Sequence, residues 1–263
     1  TYWYVGNYYY SDDLATDDFS SRDYSYAQSA GTLSGTASTV TDLWTRMYTG
    51  VAYSNEILSN IEPASSHISQ VKLIQYEAEA RFMRACMYST LISYFGDVVF
   101  YTEPLTIEET YTLGRTDKAT ILQAIYDDFD FAGENLPKSY SNNEYLRATK
   151  GAALARKARI ALYQGDWKTA RDAAKACMDL DIYSLHPNYQ DLFLSTSDNT
   201  DEVIIKRILS VELGSSWGEN TPYFVTRNAG GNAVFGMSWD LFCSYLCTDG
   251  LPIDESPLFD PQD

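Results

Sequence analysis

The sequence lacks the features that several large protein classes require. No apolar run approaches about eighteen consecutive residues, so no transmembrane helix is expected. The first residues, TYWYVGNYYYSDD, have neither the basic region nor the apolar run of a signal peptide, although a secreted protein in mature form would look the same. The GxSxG, HExxH, Walker and Rossmann motifs are missing, which leaves no familiar catalytic or nucleotide-binding signature.

Basic residues, histidines and cysteines are scarce. The chain has 19 Lys and Arg against 36 Asp and Glu, a net charge of −17, which argues against nucleic acid and anionic lipid as partners. Its 2 histidines leave little for Ser-His or Cys-His catalysis. The 4 cysteines have no CxxC spacing, so no zinc site is predicted and the compartment stays open. Cys86 and Cys177 fall in predicted helices, where a buried thiol packs as a small hydrophobe.

Aromatic side chains are abundant, at 14% of the chain with 22 tyrosines and 5 tryptophans. They have two interpretations: rings that fill cores between helices, or rings that line a surface for flat, amphipathic ligands such as sugars. Composition leaves both open. The hydrophobic content of 45% over 263 residues predicts a packed protein of one large or two small domains.

The longest segment that reads as one element runs from residue 72 to residue 97. Apolar or small residues recur three or four positions apart on nearly every side, which predicts a helix covered by other elements and capped by Gly96. Glu77 precedes Arg81 by four residues, the favourable order for a helical ion pair. The charged group interpreted as a structural ion network, with a catalytic carboxylate as the alternative, comprises Glu77, Glu79, Arg81 and Arg84.

Other segments also have regular spacing. Asn55 lies on the apolar stripe of the first helix, so it is predicted to make a buried hydrogen bond to a neighbouring backbone. Residues 149–180 are predicted to form a helix hairpin around Gly165 and Asp166, and LYQGDWKTA resembles a tetratricopeptide-type hairpin. The remaining predictions are a helix from Thr41 or Asp42 to Pro63, an extended piece over 98–106, a helix opening at 115–117 and closing at Pro137, a strand over 202–208, and a short helix over 238–247.

Residues 1–40 have no helical spacing and are rich in Tyr, Ser and Asp. They are predicted to form a solvated loop on the body of the protein, with a binding surface or an oxygen-ligand site for a structural calcium ion as the alternative. No other cofactor is expected. The aspartates that cluster there are Asp12, Asp13, Asp17, Asp18 and Asp23.

Ordered motifs along the chain resemble the SusD/RagB family of Bacteroidetes outer-membrane nutrient-binding lipoproteins. They cover residues 43 to 261 and make the resemblance specific. The motifs are LWxxMYxxVxxSNEIL (43–58), EAEARFMRACMYSTLISYFGDVVF (77–100), GRTDKATILQAIYDDFDFAGENLP (114–137), RATKGAALARKARIALYQGDWKTA (147–170), YSLHPNYQDLF (183–193), NTDEVIIKRI (199–208) and SYLCTDGLPIDESPLFDP (244–261).

The resemblance implies a mainly α-helical fold, a superhelix of tetratricopeptide-like helix pairs with long irregular loops and a few short strands. It implies a single domain over 1–263, with an irregular segment (1–40), a helical scaffold (41–182) and a loop-rich ligand side (183–263). The family's lipobox cysteine and the region that follows the DGLPI motif are missing, so the chain is expected to be a fragment that is incomplete at its C-terminus.

The resemblance also implies a function. Such a protein is anchored by lipid in the outer membrane, faces outward, binds oligosaccharides and delivers them to a SusC-like TonB-dependent transporter without catalysis. The alternatives are a peptide-binding member of the same family, an intracellular tetratricopeptide scaffold that binds protein peptides, and a glycosidase.

Ligand residues do not carry over by motif, because family members differ most in their loops. The candidates are therefore aromatic and polar residues in irregular segments, since a ring contacts the apolar face of a sugar while amide and guanidinium groups bond its hydroxyls. Packing beneath a loop is the alternative for each. The candidates are Trp217, Tyr223, Arg227 and Asn228, followed by Tyr24 and Tyr26.

Overall fold

The computed structural model describes residues 16–21, 31–140, 147–194, 200–206, 227–231 and 235–258. The chain divides into two compact units, one of residues 1–41 and 209–263 and the other of residues 42–208. Within the described part of the chain, no helix combines the length and the apolar character that a membrane crossing needs.

Helices that follow one another along the chain build most of the unit of residues 42–208, and the first of them begins four residues before it. They are α1 (Ser38–Ser59), α2 (Gln70–Phe95), α3 (Ile107–Thr110), α4 (Lys118–Asn135), α5 (Lys150–Tyr163) and α6 (Trp167–Met178). Trp44 near the start of α1 meets Phe95 at the end of α2, with ring centroids 5.1 Å apart, so these two helices are antiparallel. Phe82 of α2 and Phe129 of α4 pack edge to face at 5.9 Å. The helical fold class predicted from the sequence is confirmed.

Helix α2 is central and covers nearly the predicted stretch, shifted by two residues. Gly96 ends it with φ 69°, and its N–H donates to the Ile92 carbonyl at 3.3 Å. Residues 78 to 92 are all buried or half-buried. Because this part of the helix has no solvent-facing side, its polar groups need partners inside the protein.

The predicted hairpin of α5 and α6 is confirmed, together with its caps. The Thr149 side chain accepts from the Ala152 N–H at 3.2 Å, and the Asp166 carboxylate accepts from the Thr169 N–H at 3.0 Å. Gly165 adopts φ 79° between the helices. This left-handed conformation favours glycine and lets the chain reverse in a short turn.

A two-stranded ribbon precedes α4. Strand β2 (Val98–Val99) pairs antiparallel with β3 (Arg115–Thr116). The extended piece predicted over 98–106 is therefore strand only in its first two residues. The helix predicted to open at 115–117 begins after Asp117, whose carboxylate accepts from the Thr120 N–H at 2.9 Å.

In the other unit, β1 (Phe19–Ser21) pairs antiparallel with β4 (Phe235–Met237). Helix α7 (Trp239–Ser244) follows directly, and its cap Ser238 accepts from the Leu241 N–H at 3.0 Å. The short helix predicted over 238–247 is confirmed at a shorter length. Strand β1 lies in a segment that was predicted to be irregular.

The predicted bounds of one helix and one predicted strand are wrong. Helix α1 begins at Ser38, before the predicted Thr41 or Asp42, and ends at Ser59, with a separate 3-10 turn over Pro63–Ser66. Residues 202–206 form turns and bends where a strand was predicted, and residues 207 and 208 lie outside the described residues. The Glu202 carboxylate accepts from the His186 N–H at 2.7 Å, so this segment is held by a side chain and not by a strand ladder.

Candidate functional site

Only two of the six predicted ligand residues lie in the part of the chain that the structure describes. Arg227 and Asn228 are exposed in a 3-10 turn, Arg227–Ala229, shortly before β4. The other four, Trp217, Tyr223, Tyr24 and Tyr26, lie outside the described residues. The predicted set is therefore placed in part, with Arg227 and Asn228 at the surface of the unit that contains β1 and β4.

An exposed aromatic pair follows this turn in the same unit. Trp239 and Phe242 stand three residues apart on α7, which places them on one side of the helix. Their ring centroids are 5.2 Å apart with planes inclined by 33°, and Trp239 is 66% exposed. Sequence reasoning did not select this pair, although the spacing of Trp and Phe behind the cap Ser238 was a signal that could have found it.

The start of α7 is fixed by its attachment to β1. The Ser238 N–H donates to the Asp18 carbonyl at 2.8 Å, and the Ser238 hydroxyl donates to the Asp17 carbonyl. These bonds extend the β1–β4 pairing by one residue pair. The backbone immediately before Trp239 is therefore fixed by hydrogen bonds. An aromatic side chain on a fixed backbone loses little freedom when it binds a flat ligand.

The segment after α7 is also ordered by local hydrogen bonds. The Asp249 carboxylate accepts from the Ser256 hydroxyl at 2.7 Å and from the Leu251 N–H at 3.1 Å. These donors hold the pKa of Asp249 below its usual value, first through Ser256. The Cys247 N–H donates to the Leu251 carbonyl at 2.8 Å and closes the turn. The DGLPI stretch is therefore a structured turn.

The four residues of α2 that were interpreted as one ion network belong to two separate networks. In the first, Arg81 donates to the Glu77 carboxylate at 2.7 Å, and Arg84 pairs with Asp128 of α4. The Arg84 guanidinium also donates to the Asn55 side-chain oxygen at 3.0 Å and to the Thr102 carbonyl at 3.1 Å. This one side chain thus connects α1, α2, α4 and the segment after β2.

The second network is centred on Glu79. Its carboxylate accepts from Arg147 at 2.7 Å and from the Tyr140 hydroxyl at 3.2 Å, while Gln75 donates to it at 3.2 Å. The Arg147 guanidinium lies 5.7 Å from the Tyr76 ring centroid and 5.5 Å from that of Tyr140. Burial, together with Glu79, raises the pKa of Tyr140 to about 12, so its hydroxyl stays protonated as a donor.

Some of the aromatic content fills the core. Tyr88 is almost fully buried, and its hydroxyl donates to the Tyr101 carbonyl at 2.9 Å and accepts from the Tyr101 N–H at 3.0 Å. The Tyr48 hydroxyl donates to the Val99 carbonyl at 2.7 Å. Burial raises the pKa of both Tyr48 and Tyr88 above the ordinary tyrosine value. These rings pack α1 and α2 against the segment around β2, whereas Trp239 faces solvent.

The aspartates of the N-terminal segment are placed only in part. Asp17 and Asp18 lie beside β1, and Asp12, Asp13 and Asp23 lie outside the described residues. Within the ranges that the structure describes, no three His, Cys, Asp or Glu side chains come together in a way that could hold a metal ion. The aspartate cluster therefore remains a sequence-based expectation.

Comparison with known proteins gives one consistent match. Residues 4–162 match the SusD-like family that is described as "Starch-binding associating with outer membrane". A SusD-like protein P25 of Formosa agariphila is 30% identical over 198 residues, which cover 75% of this chain and 37% of that protein. A SusD-like protein of Bacteroides ovatus is 25% identical over 174 residues, covering 62% of this chain and 31% of the relative.

Solved structures share the fold. A SusD-like carbohydrate-binding protein of Bacteroides fragilis superimposes with a TM-score of 0.80 at 27% identity, covering 95% of this chain and 50% of that one. A laminarin-binding SusD-like protein superimposes with a TM-score of 0.67 at 23% identity, covering 78% of this chain and 47% of that one. The chain thus spans about a third of the length of the curated relatives and about half of these solved structures.

Proposed function

The chain belongs to the SusD-like family, and from that membership we propose that it is part of a non-catalytic, cell-surface protein that binds oligosaccharides. The protein delivers its ligand to a SusC-like TonB-dependent transporter in the outer membrane. The family description, which combines starch binding with outer-membrane association, supports the ligand class and the location. Lipid anchoring and an outward orientation complete the proposal.

The exposed Trp239–Phe242 pair is the observation that carries ligand binding. A tryptophan face offers a broad apolar plate for the C–H face of a sugar ring, and the indole N–H can donate to a hydroxyl. Arg227 and Asn228 are exposed polar groups in the same unit. A guanidinium donates only, whereas an amide both donates and accepts, so together they match sugar hydroxyls.

Two features of the helical unit support a non-catalytic role. The carboxylates of Glu77 and Glu79 both accept from arginines, at 2.7 Å in each case. Each carboxylate is therefore engaged in an ion pair within the helical unit, which fits a structural role. Glycoside hydrolysis needs a pair of carboxyl groups that flank the scissile bond, whereas these two are occupied by arginines.

A protein-interaction scaffold is the second candidate. The α5–α6 hairpin with its Gly165 turn is the observation that favours it, because helix hairpins of the tetratricopeptide type bind extended peptides along their faces. A peptide-binding member of the same family belongs to this alternative. The two candidates differ in ligand class, which one binding experiment can separate.

Affinity gels test the proposal. The protein is run through native gels that contain starch, laminarin or another single polysaccharide, and we expect retardation on at least one of them without release of reducing ends. Trp239→Ala should remove most of that retardation, and the double variant Trp217→Ala, Tyr223→Ala tests the sequence-based candidates. Tyr53→Ala is the control, because Tyr53 is an exposed aromatic residue on α1 and does not belong to the Trp239–Phe242 pair.

Each result has a clear meaning. Unchanged retardation in a folded Trp239→Ala variant would remove α7 from the binding site. Release of reducing sugar would contradict the non-catalytic role. Absence of retardation on every polysaccharide, combined with binding to peptides, would favour the interaction scaffold.

A further inference from the structure

Residues of both helices of the α5–α6 hairpin line an open groove of about 550 Å³. Its size falls within the range of roughly 300–1,000 Å³ that small-ligand sites occupy. The alanines of both helices form the floor, because their short side chains leave space between the helix surfaces. These alanines are Ala158, Ala170 and Ala174.

Large apolar side chains form the walls and remain open to solvent. Trp167 is 69% exposed and Tyr163 is 67% exposed, and Leu162 stands beside them. Tyr163 ends α5 and Trp167 begins α6, so the short turn at Gly165 brings both rings to the same end of the hairpin. The result is an aromatic platform at one end of an alanine-floored channel.

The charged residues that line the groove are both arginines, Arg159 and Arg171. The Arg171 guanidinium forms an ion pair with the Asp172 carboxylate at 2.7 Å. Arg159 is exposed and has no ion-pair partner within the described ranges. In a chain of net charge −17, a groove lined by cations stands out from its surroundings. Such a groove attracts anions, since the field at a cleft depends on the charges that line it.

Nearby carboxylates are already engaged. Asp166 caps α6 by accepting from the Thr169 N–H at 3.0 Å. Asp172 accepts from Arg171 at 2.7 Å and from Lys168 at 3.1 Å. The remaining hydrogen-bonding groups of the groove are the Arg159 guanidinium and the Trp167 indole N–H, which only donate, and the Tyr163 hydroxyl, which donates and accepts.

We propose that this groove binds an anionic sugar unit of an oligosaccharide, with the ring stacked on Trp167 and Tyr163 and its carboxylate or sulfate paired with Arg159. The inference rests on the proposed glycan-binding function. It adds a second sugar-binding site that prefers a negatively charged sugar. Carboxylate and sulfate share the required chemistry, because each presents several acceptor oxygens to a planar guanidinium. A neutral sugar would leave the Arg159 charge without a counter-charge, and among these side chains it would find only the Tyr163 hydroxyl as an acceptor for its own hydroxyl protons.

The test compares two forms of one polysaccharide. Binding to oligogalacturonate is measured by titration calorimetry beside its methyl ester, which keeps the sugar rings and removes the charge. We expect the ester to bind at least about tenfold more weakly, since one charge-assisted hydrogen bond accounts for about that factor. A sulfated galactan oligosaccharide is the second arm and distinguishes sulfate from carboxylate as the recognised group.

Matched variants locate the site. Arg159→Gln and Trp167→Ala should each weaken binding of the acidic oligosaccharide by about tenfold. Lys168→Gln is the charge control, because it removes one positive charge on α6 from a residue that does not line the groove. Tyr111→Ala is the control for loss of an exposed ring. Thermal unfolding of each variant verifies that it is folded.

The outcomes separate the two proposals. Equal binding of acid and ester, or full binding by folded Arg159→Gln and Trp167→Ala variants, overturns the groove assignment, even where neutral glycans still bind and the proposed function stands. Loss of binding in Lys168→Gln equal to that in Arg159→Gln would reduce the effect to net charge and also overturn it. Tighter binding of a poly-glutamate peptide than of any acidic oligosaccharide would assign the groove to a protein partner. Failure to bind every glycan defeats both proposals.

Discussion

Arg84 and Asp128 form a two-pronged ion pair between α2 and α4, with nitrogen–oxygen distances of 2.8 and 2.9 Å. The two residues are 7% and 6% exposed. The remaining Arg84 nitrogen donates to Asn55 and to the Thr102 carbonyl, so all three guanidinium nitrogens have partners. A buried charge of this kind is stable only with all of these partners present.

Arg84→Ala is expected to lower the free energy of unfolding by about 3–5 kcal/mol, because it leaves the Asp128 carboxylate buried without its partner. Lys175→Ala is the control, since the Lys175 side chain is 72% exposed and its pairing with Asp179 is a surface contact. It should lower the free energy of unfolding only slightly. Urea unfolding measures both values.

A double replacement, Arg84→Met with Asp128→Leu, should recover much of the stability lost in Arg84→Ala, because similar apolar volume replaces both charges. Equal costs for Lys175→Ala and Arg84→Ala would contradict the central role of Arg84. Neither single variant should change glycan retention in a protein that is still folded.

Gly151→Ala should destabilise the α5–α6 hairpin. An added Cβ at this position would stand 2.1 Å from the Tyr183 hydroxyl oxygen, so the Tyr183 ring would have to move. Overpacking of this kind costs about 1–3 kcal/mol. Gly133→Ala is the matched control, because its Cβ would meet Leu154 at an ordinary 3.8 Å and alanine favours a helix.

Tyr183 can be removed to check the cause. In a Tyr183→Ala background, Gly151→Ala should be neutral or stabilising, and the coupling between the two sites appears in a double-mutant cycle from thermal unfolding. If Gly151→Ala is still destabilising in the Tyr183→Ala background, the loss of stability arises from the backbone at residue 151 and not from the contact with Tyr183.

The cap of α6 should be sensitive to acid. The Thr169 side chain and N–H hold the pKa of Asp166 below its ordinary 3.8. A lowered folded-state pKa means that the charged cap stabilises the fold above the ordinary pKa and that this contribution is lost as the pH falls through the lowered value. Asp166→Ala should therefore unfold at a lower temperature than the wild type at pH 7, with a smaller gap in acid.

Asp166→Asn is the control for this prediction, because an amide oxygen can still cap the helix but does not titrate in this range. The difference in unfolding temperature between the wild type and Asp166→Asn should change with pH only through titration of the Asp166 carboxylate. If the difference in unfolding temperature between the wild type and Asp166→Ala stays constant from pH 7 into acid, the charge of Asp166 does not contribute to the stability of the fold.

The thiols should react at very different rates. Burial raises the pKa of Cys86 to about 12, and the thiolate is the reactive form. Cys177 is also buried and donates to the Gly151 carbonyl at 3.6 Å. In native protein a thiol reagent such as DTNB should modify Cys243 and Cys247 first, and Cys86 and Cys177 should react only after unfolding. Fast native modification of Cys86 would contradict its burial.

Local signals in the sequence predicted the helices well. Thr149 and Asp166 were expected at helix starts and do cap them, and Gly96 ends α2 as expected. Caps and apolar spacing depend on residues three or four positions apart, so one sequence contains all the information. The strand predicted over 202–208 failed because its β-branched residues suggested a ladder, whereas Glu202 bonds to His186 instead.

The candidate site was harder to predict. Asn55 was expected to bond a neighbouring backbone, and it does donate to the Tyr101 carbonyl at 3.2 Å; its second contact, with Arg84, was not foreseen. Trp239 and Trp167 were read as parts of helices and not as surface rings. Whether a ring faces solvent or the core depends on what packs over it, and aromatic residues suit both settings.

Local sequence was enough to predict where the helices lie, the caps at Gly96, Thr149 and Asp166, the hairpin around Gly165 and the resemblance to one family, because these depend on nearby residues and on the order of motifs. The tertiary structure alone decided which charges meet. Arg84 pairs with Asp128, 44 positions away, and Glu79 with Arg147, 68 positions away. With 36 acidic residues, charge complementarity allows many pairings, and only the packing of α2 against its neighbours brings these particular groups within bonding distance.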